Sequence, residues 1–126
     1  SGQMKSEALL NQFRDQVNAV FCPNESSVYG MLQALRRTGL LGQVYLVGFD
    51  ATPALVEALR KEELHGLVLQ DPVHMGYLGV IHAVNILEGS IPEKRIDTGA
   101  WVATVQNMDD PEIRQRLSPD LSILDK

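Results

Sequence analysis

Three polar side chains each stand directly after a short apolar run of the sequence: Asn24, Asp50 and Gln70. If the three runs are neighbouring strands of a parallel sheet, their carboxyl ends share one edge, where open α/β sheets bind ligands. The Asp50 carboxylate can accept hydrogen bonds from two adjacent hydroxyls, while Asn24 and Gln70 each offer a donor and an acceptor. This mixture suits a polyol such as a sugar. Asp50 is expected to dominate, because hydrogen bonds to a charged acceptor are the stronger kind.

The same residue types also have structural roles, since Asn and Asp after a strand often cap the next helix. Thr52 and Asp71 are better placed as caps, because a proline at the first position of a predicted helix follows each of them. Asp50 and Gln70 are therefore left without an obvious capping task. Asn24 could itself cap the helix that follows it, although the next two serines are alternatives.

Hydrophobic periodicity predicts alternating helices and strands along most of the chain. Helices are predicted over Lys5–Gln16, Ser26–Thr38, Pro53–Arg60 and Val73–Glu88, and strands over Asn18–Cys22, Val44–Phe49, Leu64–Leu69 and Gly99–Val105. Asp110 and Pro111 can open a last short helix before a polar tail. The alternation predicts an α/β fold with a parallel sheet of about four strands and helices on both faces, as in a Rossmann-like lobe.

Composition fits one globular domain and argues against nucleic acid as a direct partner. The chain has 126 residues, 44% of them hydrophobic, and a formal net charge of -5. Its 11 Lys and Arg residues are spread out and form no basic cluster that could follow a phosphate backbone. No run of about 18 apolar residues is present, so no membrane span is expected.

The first four residues, Ser1 to Met4, look like a remnant of cloning. We therefore exclude them from fold reasoning and take residues 5–126 as the folded portion. Any upstream signal would lie outside such an excerpt.

The three polar positions occur in motifs that resemble those of periplasmic sugar-binding proteins of the ribose-binding type. The motifs are Ala19-Val20-Phe21-Cys22-Pro23-Asn24-Glu25, Val47-Gly48-Phe49-Asp50 and Gln70-Asp71-Pro72, in the family's order and spacing. One departure is Glu25-Ser26, where the family usually has Asp-Glu. In that family the Asn, the Asp and the Gln contact the bound sugar, which implies the same role for Asn24, Asp50 and Gln70.

The resemblance implies a role in binding, with neither catalysis nor a cofactor. It predicts a type I periplasmic-binding-protein lobe that binds a monosaccharide, ribose-like or related, as the solute-binding component of an ABC transporter. The implied partners are the sugar and a membrane permease, and the implied location is periplasmic or extracytoplasmic. Family members are two-lobed and about twice as long. This chain is thus expected to be the C-terminal portion, to lack the N-terminal lobe and to supply one wall of the site.

Other functions have weaker support in the sequence. The runner-up is the sugar-sensing domain of a LacI-type transcription regulator, which has the same fold. An enzyme with Asp50 as phospho-acceptor lacks the acidic pair and the lysine that such chemistry needs. Cys22 as a catalytic thiol has no histidine at a suitable spacing, and a metal site is not expected from His65, His74 and His82, which are nine and eight residues apart.

The helix predicted from Val73 to Glu88 carries apolar residues on more than one side. Tyr77, Ile81 and Val84 lie on one side. Val73, Val80 and Leu87 lie on another. A single sheet face cannot cover both sides. Because this helix packs on the opposite lobe in the resembled family, a chain without that lobe is expected to form a homodimer, possibly by exchange of the helix and the following strand.

Overall fold

A computed structural model describes residues 2–14 and 16–119 of the chain. Five helices and four strands alternate in the order α1, β1, α2, β2, α3, β3, α4, β4, α5 within these residues. The helices are α1 (Gly2–Phe13), α2 (Glu25–Thr38), α3 (Pro53–Arg60), α4 (Pro72–Leu87) and α5 (Pro111–Leu117). The strands are β1 (Ala19–Phe21), β2 (Tyr45–Phe49), β3 (Gly66–Leu69) and β4 (Trp101–Ala103). The predicted α/β class is confirmed, as is the existence of each predicted helix and strand.

Local signals at the helix ends explain where the helices begin and stop. Thr52 caps α3 by accepting a hydrogen bond at Oγ1 from the Leu55 amide, and Asp71 caps α4 by accepting one at Oδ1 from the His74 amide. Both caps were predicted from the prolines that follow. Gly39 ends α2 in the left-handed region, with φ at 72°, which a residue without Cβ adopts without strain.

The sheet has the strand order β1-β2-β3-β4, and its first three strands are parallel. The fourth strand departs from the predicted parallel sheet, because β4 runs antiparallel to β3. Trp101, the first residue of β4, pairs with Leu69, the last residue of β3. The physical reason is that the exposed segment 88–100 brings the chain back at the carboxyl end of β3 rather than at its start. Trp101 and the helix after β4 consequently lie near the edge where ligands are expected.

One face of the sheet is fully covered by helices. Leu46 and Gly48 of β2 point to this face, together with Leu67 of β3 and its β4 partner Ala103. All four are buried, and Val28 of α2 packs directly on Gly48. These residues join the buried side chains of the helices in a single hydrophobic core.

The opposite face of the sheet is open, so the expectation of helices on both faces is not met within the described residues. Phe21 is 57% exposed, Tyr45 64% and Val102 52%, and each is more exposed than its neighbours along the strand. The reason lies in α4, which the strand and helix alternation had assigned to covering the sheet. None of its residues is buried, and Leu87 is 88% exposed. The predicted exposure of apolar residues on more than one side of this helix is confirmed.

The N-terminal helix begins earlier than the sequence indicated. Residues 2–4, which we had excluded from fold reasoning, form the first turn of α1, and Ser1 lies outside the described residues. A Cβ on Gly30 of α2 would stand 2.8 Å from backbone atoms of Gly2 and Gln3. The first turn of α1 thus packs against the α2 backbone at a position where only glycine fits without displacement.

Candidate sugar-binding site

Asp50 and Gln70 lie together at the carboxyl edge of the sheet, as their positions after β2 and β3 predicted. Gln70 Nε2 donates a 2.9 Å hydrogen bond to Asp50 Oδ1, and both side chains are half-buried. The Asp50 amide also donates to Val68 O at 2.9 Å, which continues the pairing of β2 with β3 beyond the end of β2. A carboxylate and an amide are thereby held side by side, ready to accept from and donate to neighbouring hydroxyls.

Asp50 has a left-handed backbone conformation, with φ at 66°. Aspartate and asparagine tolerate this region better than other residues with a Cβ, because their short polar side chains bond locally. The conformation turns the chain sharply out of β2 and toward the cap of α3. Asp50 therefore has a backbone role in addition to the carboxylate that it presents, which the sequence did not indicate.

Asn24 is the helix cap that the sequence left open as an alternative. Its Oδ1 accepts from the Ser27 amide at 3.0 Å and from the Ser26 hydroxyl at 2.9 Å. The side chain is exposed at the start of α2. Among the described residues the structure brings Asp50 and Gln70 into direct contact, whereas Asn24 Oδ1 is engaged in its own turn.

A cavity of about 870 Å³ opens beside the Asp50 and Gln70 pair. Its wall combines the two polar residues with apolar and aromatic side chains from the first turns of α4, among them Val73, Met75 and Tyr77. Its volume falls in the range of small-molecule sites, which are mostly apolar with a few converging polar groups. Glu25, the neighbour of Asn24, also lines it.

The far side of this cavity is formed by α5, which sequence reasoning did not include in the site. Arg116 lines the cavity, and its Cζ lies 3.6 Å from the centroid of the Trp101 ring. Trp101 Nε1 donates to Glu112 Oε1 at 3.0 Å, and Glu112 forms an ion pair with Arg116 at 3.4 Å. The four-residue spacing of Glu112 and Arg116 was a readable signal of a helix face. Their proximity to β3 depends on the antiparallel entry of β4, which the sequence did not reveal.

Two other reactive side chains, Cys22 and His65, lie in or beside strands of the sheet. Cys22 is a buried free thiol at the end of β1, and burial raises its pKa above the ordinary value of 9.0, partly offset by a hydrogen bond with Ser27. His65 Nδ1 accepts from the Leu46 amide at 3.1 Å. Within residues 2–14 and 16–119, no group of three or more His, Cys, Asp or Glu side chains is arranged to hold a metal ion. None of the helices in these ranges is long and apolar enough to cross a bilayer.

Comparisons with known proteins identify a matching family and several similar chains. The family described as periplasmic binding protein domain matches residues 1–91. The ribose import binding protein of Haemophilus influenzae is 32% identical over 83 residues, which are 66% of this chain and 28% of that protein. A carbohydrate transporter solute-binding protein from Agrobacterium radiobacter, solved in complex with D-arabinose, is 32% identical with a TM-score of 0.83, covering 93% of this chain and 39% of that one.

A third similar protein bears on the regulatory alternative. It is described as an ABC transporter, LacI family transcriptional regulator from Brachyspira murdochii, and is 27% identical with a TM-score of 0.78, covering 91% of this chain and 40% of that one. In all three comparisons this chain spans two fifths or less of the other protein. The family match covers well over half of the chain. The chain belongs to the periplasmic binding protein domain family.

Proposed function

We propose that this chain forms one wall of a monosaccharide-binding site in the solute-binding component of an ABC transporter. The observation that carries the proposal is the Asp50 and Gln70 pair, hydrogen bonded at 2.9 Å on the wall of the cavity at the carboxyl edge of the sheet. The similar proteins are named for ribose or were solved with arabinose, and both ligands are small polyols. Ribose-like monosaccharides are therefore the ligand class proposed here.

Binding would proceed without chemical change of the sugar. Asp50 accepts hydrogen bonds from two hydroxyls, Gln70 donates to or accepts from a third, and the apolar wall from α4 packs on the sugar's carbon-bound hydrogens. Asn24 would join them through its amide, since its Oδ1 already accepts from Ser26 and Ser27. Catalytic groups, metals and cofactors have no part in this mechanism.

The second wall of the site would come from an N-terminal lobe of the same protein. This chain would then be the C-terminal portion of a two-lobed sugar-binding domain. The complete protein would work outside the cytoplasm and deliver its sugar to a membrane permease. A single wall cannot enclose the 70–90% of a ligand's surface that well-formed pockets bury, so this chain alone is expected to bind sugars only at millimolar concentration.

The test is a titration of the ¹⁵N-labelled chain with D-ribose and D-arabinose, followed by NMR chemical shifts. We expect the shifts to cluster at residues 50 and 70, and Asp50→Asn to weaken binding about 10-fold or more, because it removes a charged acceptor. Asparagine is preferred to alanine here because it tolerates the left-handed backbone at this position. Asp109→Asn, which makes the same change at an exposed ion pair with Arg60, is the matched control. An affinity unchanged by Asp50→Asn would refute the site.

The alternative function, a sugar-sensing regulator domain, draws its support from the likeness to the Brachyspira protein. The same Asp50 and Gln70 pair would then sense the sugar, and a separate module would bind DNA. The gene sequence upstream of residue 1 distinguishes the two, since a secretion signal supports transport and a helix-turn-helix supports regulation.

We also propose that the chain alone forms a homodimer through the open sheet face and α4. Its accessible surface is 8722 Å², whereas a compact monomer of 13.9 kDa exposes about 6,700 Å². The excess of about 2,000 Å² is larger than the roughly 800 Å² that each partner contributes to a standard interface. Apolar side chains make up the open sheet face and much of α4, which suits burial against a second copy.

Light scattering at micromolar concentration tests the dimer. We expect a particle of twice the 13.9 kDa chain mass, and a shift to monomer when Val80→Glu places a charge on α4. Ala54→Glu, on an exposed position of α3, is the control and should leave the mass unchanged. A strictly monomeric wild-type chain would contradict the proposal, as would a Val80→Glu variant that remains dimeric.

A further inference from the structure

The arginine on the far wall of the cavity is held in a fixed orientation by two neighbours. Its guanidinium stacks on Trp101 at 3.6 Å, and Nη1 makes both contacts to Glu112, a 2.9 Å hydrogen bond to the backbone oxygen and a 3.4 Å ion pair to Oε1. Glu112 in turn accepts from Trp101 Nε1. An arginine fixed by stacking and by a carboxylate loses little further entropy when it binds a ligand.

The same guanidinium carries an unmet hydrogen-bond donor. Arg116 Nε is buried and has no partner, the one such side-chain atom found within residues 2–14 and 16–119. Buried donors without acceptors are uncommon in folded proteins and call for a functional explanation. Because both Glu112 contacts use Nη1, the unmet donor lies on the opposite edge of the group, formed by Nε and Nη2.

We propose that Arg116 is a specificity-determining residue of the sugar site, donating from its Nε and Nη2 edge to a hydroxyl or ring oxygen of the bound monosaccharide. This inference rests on the proposed sugar-binding function. The cavity wall then carries an acceptor, Asp50, and a donor, Arg116, which is the complement that a polyol requires.

Neutral sugars are favoured over sugar acids by the charges around the cavity. The carboxylates of Glu25, Asp50 and Asp71 line the cavity. The guanidinium of Arg116 also lines it, but it is already paired with Glu112. A ligand carboxylate would meet more like charge than opposite charge in this cavity. The positive group is thus matched to an uncharged oxygen rather than to an anion.

The test combines a protein variant with ligand variants, so that a structural role of Arg116 does not imitate a binding role. The chain is titrated by NMR with whichever of D-ribose and D-arabinose binds more tightly, and with the monodeoxy analogues of that sugar. Arg116→Met keeps the length of the side chain and its packing on Trp101 but removes the donors. Thermal unfolding and the fluorescence of Trp101, the single tryptophan of the chain, verify that α5 stays in place.

The wild-type chain should lose about 10- to 100-fold in affinity with the one deoxy analogue that lacks the Arg116 contact. Arg116→Met should bind the parent sugar about 10- to 100-fold more weakly than the wild-type chain does. It should bind this deoxy analogue as tightly as it binds the parent sugar. If Asp50→Asn weakens binding and Arg116→Met does not, the inference is overturned while the proposed function stands. If every deoxy penalty is the same in wild type and Arg116→Met, the inference is likewise overturned. If neither sugar binds at millimolar concentration, both the inference and the proposed function fail.

Discussion

Val28 of α2 lies so close to Gly48 of β2 that a Cβ on the glycine would stand 2.7 Å from both valine methyl carbons. This contact brings α2 down onto the middle of the sheet, one residue before β2 ends and two before Asp50 begins its sharp turn. The close packing of Val28 on Gly48 thereby supports the backbone that leads into the candidate site. The sequence showed Gly48 only as part of the Val47-Gly48-Phe49-Asp50 motif, without a packing role.

Gly48→Ala is expected to destabilise the fold by about 1–3 kcal/mol, because the added methyl must push Val28 or the helix away. Urea unfolding measures the loss. Gly66→Ala in β3 is the matched control, since a Cβ there would meet its nearest atoms only at 3.6 Å and beyond. Val28→Ala in the Gly48→Ala background should recover part of the loss, and a purely additive double variant would contradict the packing argument.

The hydrogen bond from Gln70 to Asp50 allows a prediction for a variant in which the donor is replaced by an acceptor. Gln70→Glu replaces the donor with a second carboxylate at 2.9 Å, so the free energy of unfolding should fall by about 1 kcal/mol at neutral pH. Urea unfolding at pH 7 measures the loss. Gln43→Glu is the control, because the side-chain amide of Gln43 donates to the Gly39 backbone oxygen and to no carboxylate among the described residues. An equal loss in the two variants would argue against a special role of the pair.

Most of the fold was predictable because the chain marks its elements with local signals. The caps Thr52 and Asp71, each followed by proline, and the stop at Gly39 fixed helix ends to within about a residue. The positions of Asp50 and Gln70 after two adjacent parallel strands were enough to predict that they meet, since parallel strands end at one edge. Local periodicity carries this information because it depends on neighbours within one turn or one strand.

What the sequence did not predict depends on long-range pairing. The direction of β4 is set by where the segment 88–100 returns to the sheet, and no local pattern encodes that return. The inclusion of Arg116 in the site follows from it, because α5 reaches the cavity only when Trp101 pairs with Leu69. The open sheet face was missed for the same reason, since apolar strands give the same pattern whether or not a helix covers them.

The side chain of His65 accepts a hydrogen bond that a backbone carbonyl would normally accept in a sheet. Removing this acceptor is expected to lower the stability of the fold. His65 Nδ1 accepts from the buried Leu46 amide at 3.1 Å just before β3 begins, where a strand would otherwise supply a carbonyl. His65→Phe keeps a ring beside Tyr45, whose centroid lies 4.6 Å from that of His65, but leaves the Leu46 amide unpaired. We expect a loss of about 1–3 kcal/mol and faster hydrogen exchange of the Leu46 amide.

His82→Phe serves as the control for the His65 variant, because His82 lies on α4, which has no buried residue. It should leave the free energy of unfolding nearly unchanged. Unaltered exchange at Leu46 in His65→Phe would mean that the amide finds another acceptor, and the side chain would then have no role in joining β2 to β3.

Cys22 gives the stability of the chain a dependence on alkaline pH. Burial raises the pKa of its thiol above 9.0, with a smaller opposing effect from the Ser27 hydrogen bond, so the folded state favours the neutral thiol. The unfolded chain therefore releases this proton first as the pH rises. The stabilisation is fully present below the pKa of the unfolded thiol and is lost as the pH rises through the folded pKa.

The matched variant is Cys22→Ala, which has no thiol to titrate and otherwise has the same sequence. Urea unfolding at pH 8 and pH 10 should show a larger drop in the free energy of unfolding for the wild type than for Cys22→Ala. The buried neutral thiol should also react slowly with iodoacetamide at pH 8, because the thiolate is the nucleophile. Parallel pH dependences in the two chains would mean that Cys22 ionises equally easily in the folded and unfolded states. The end of β1 would then be open to solvent rather than packed beneath α2.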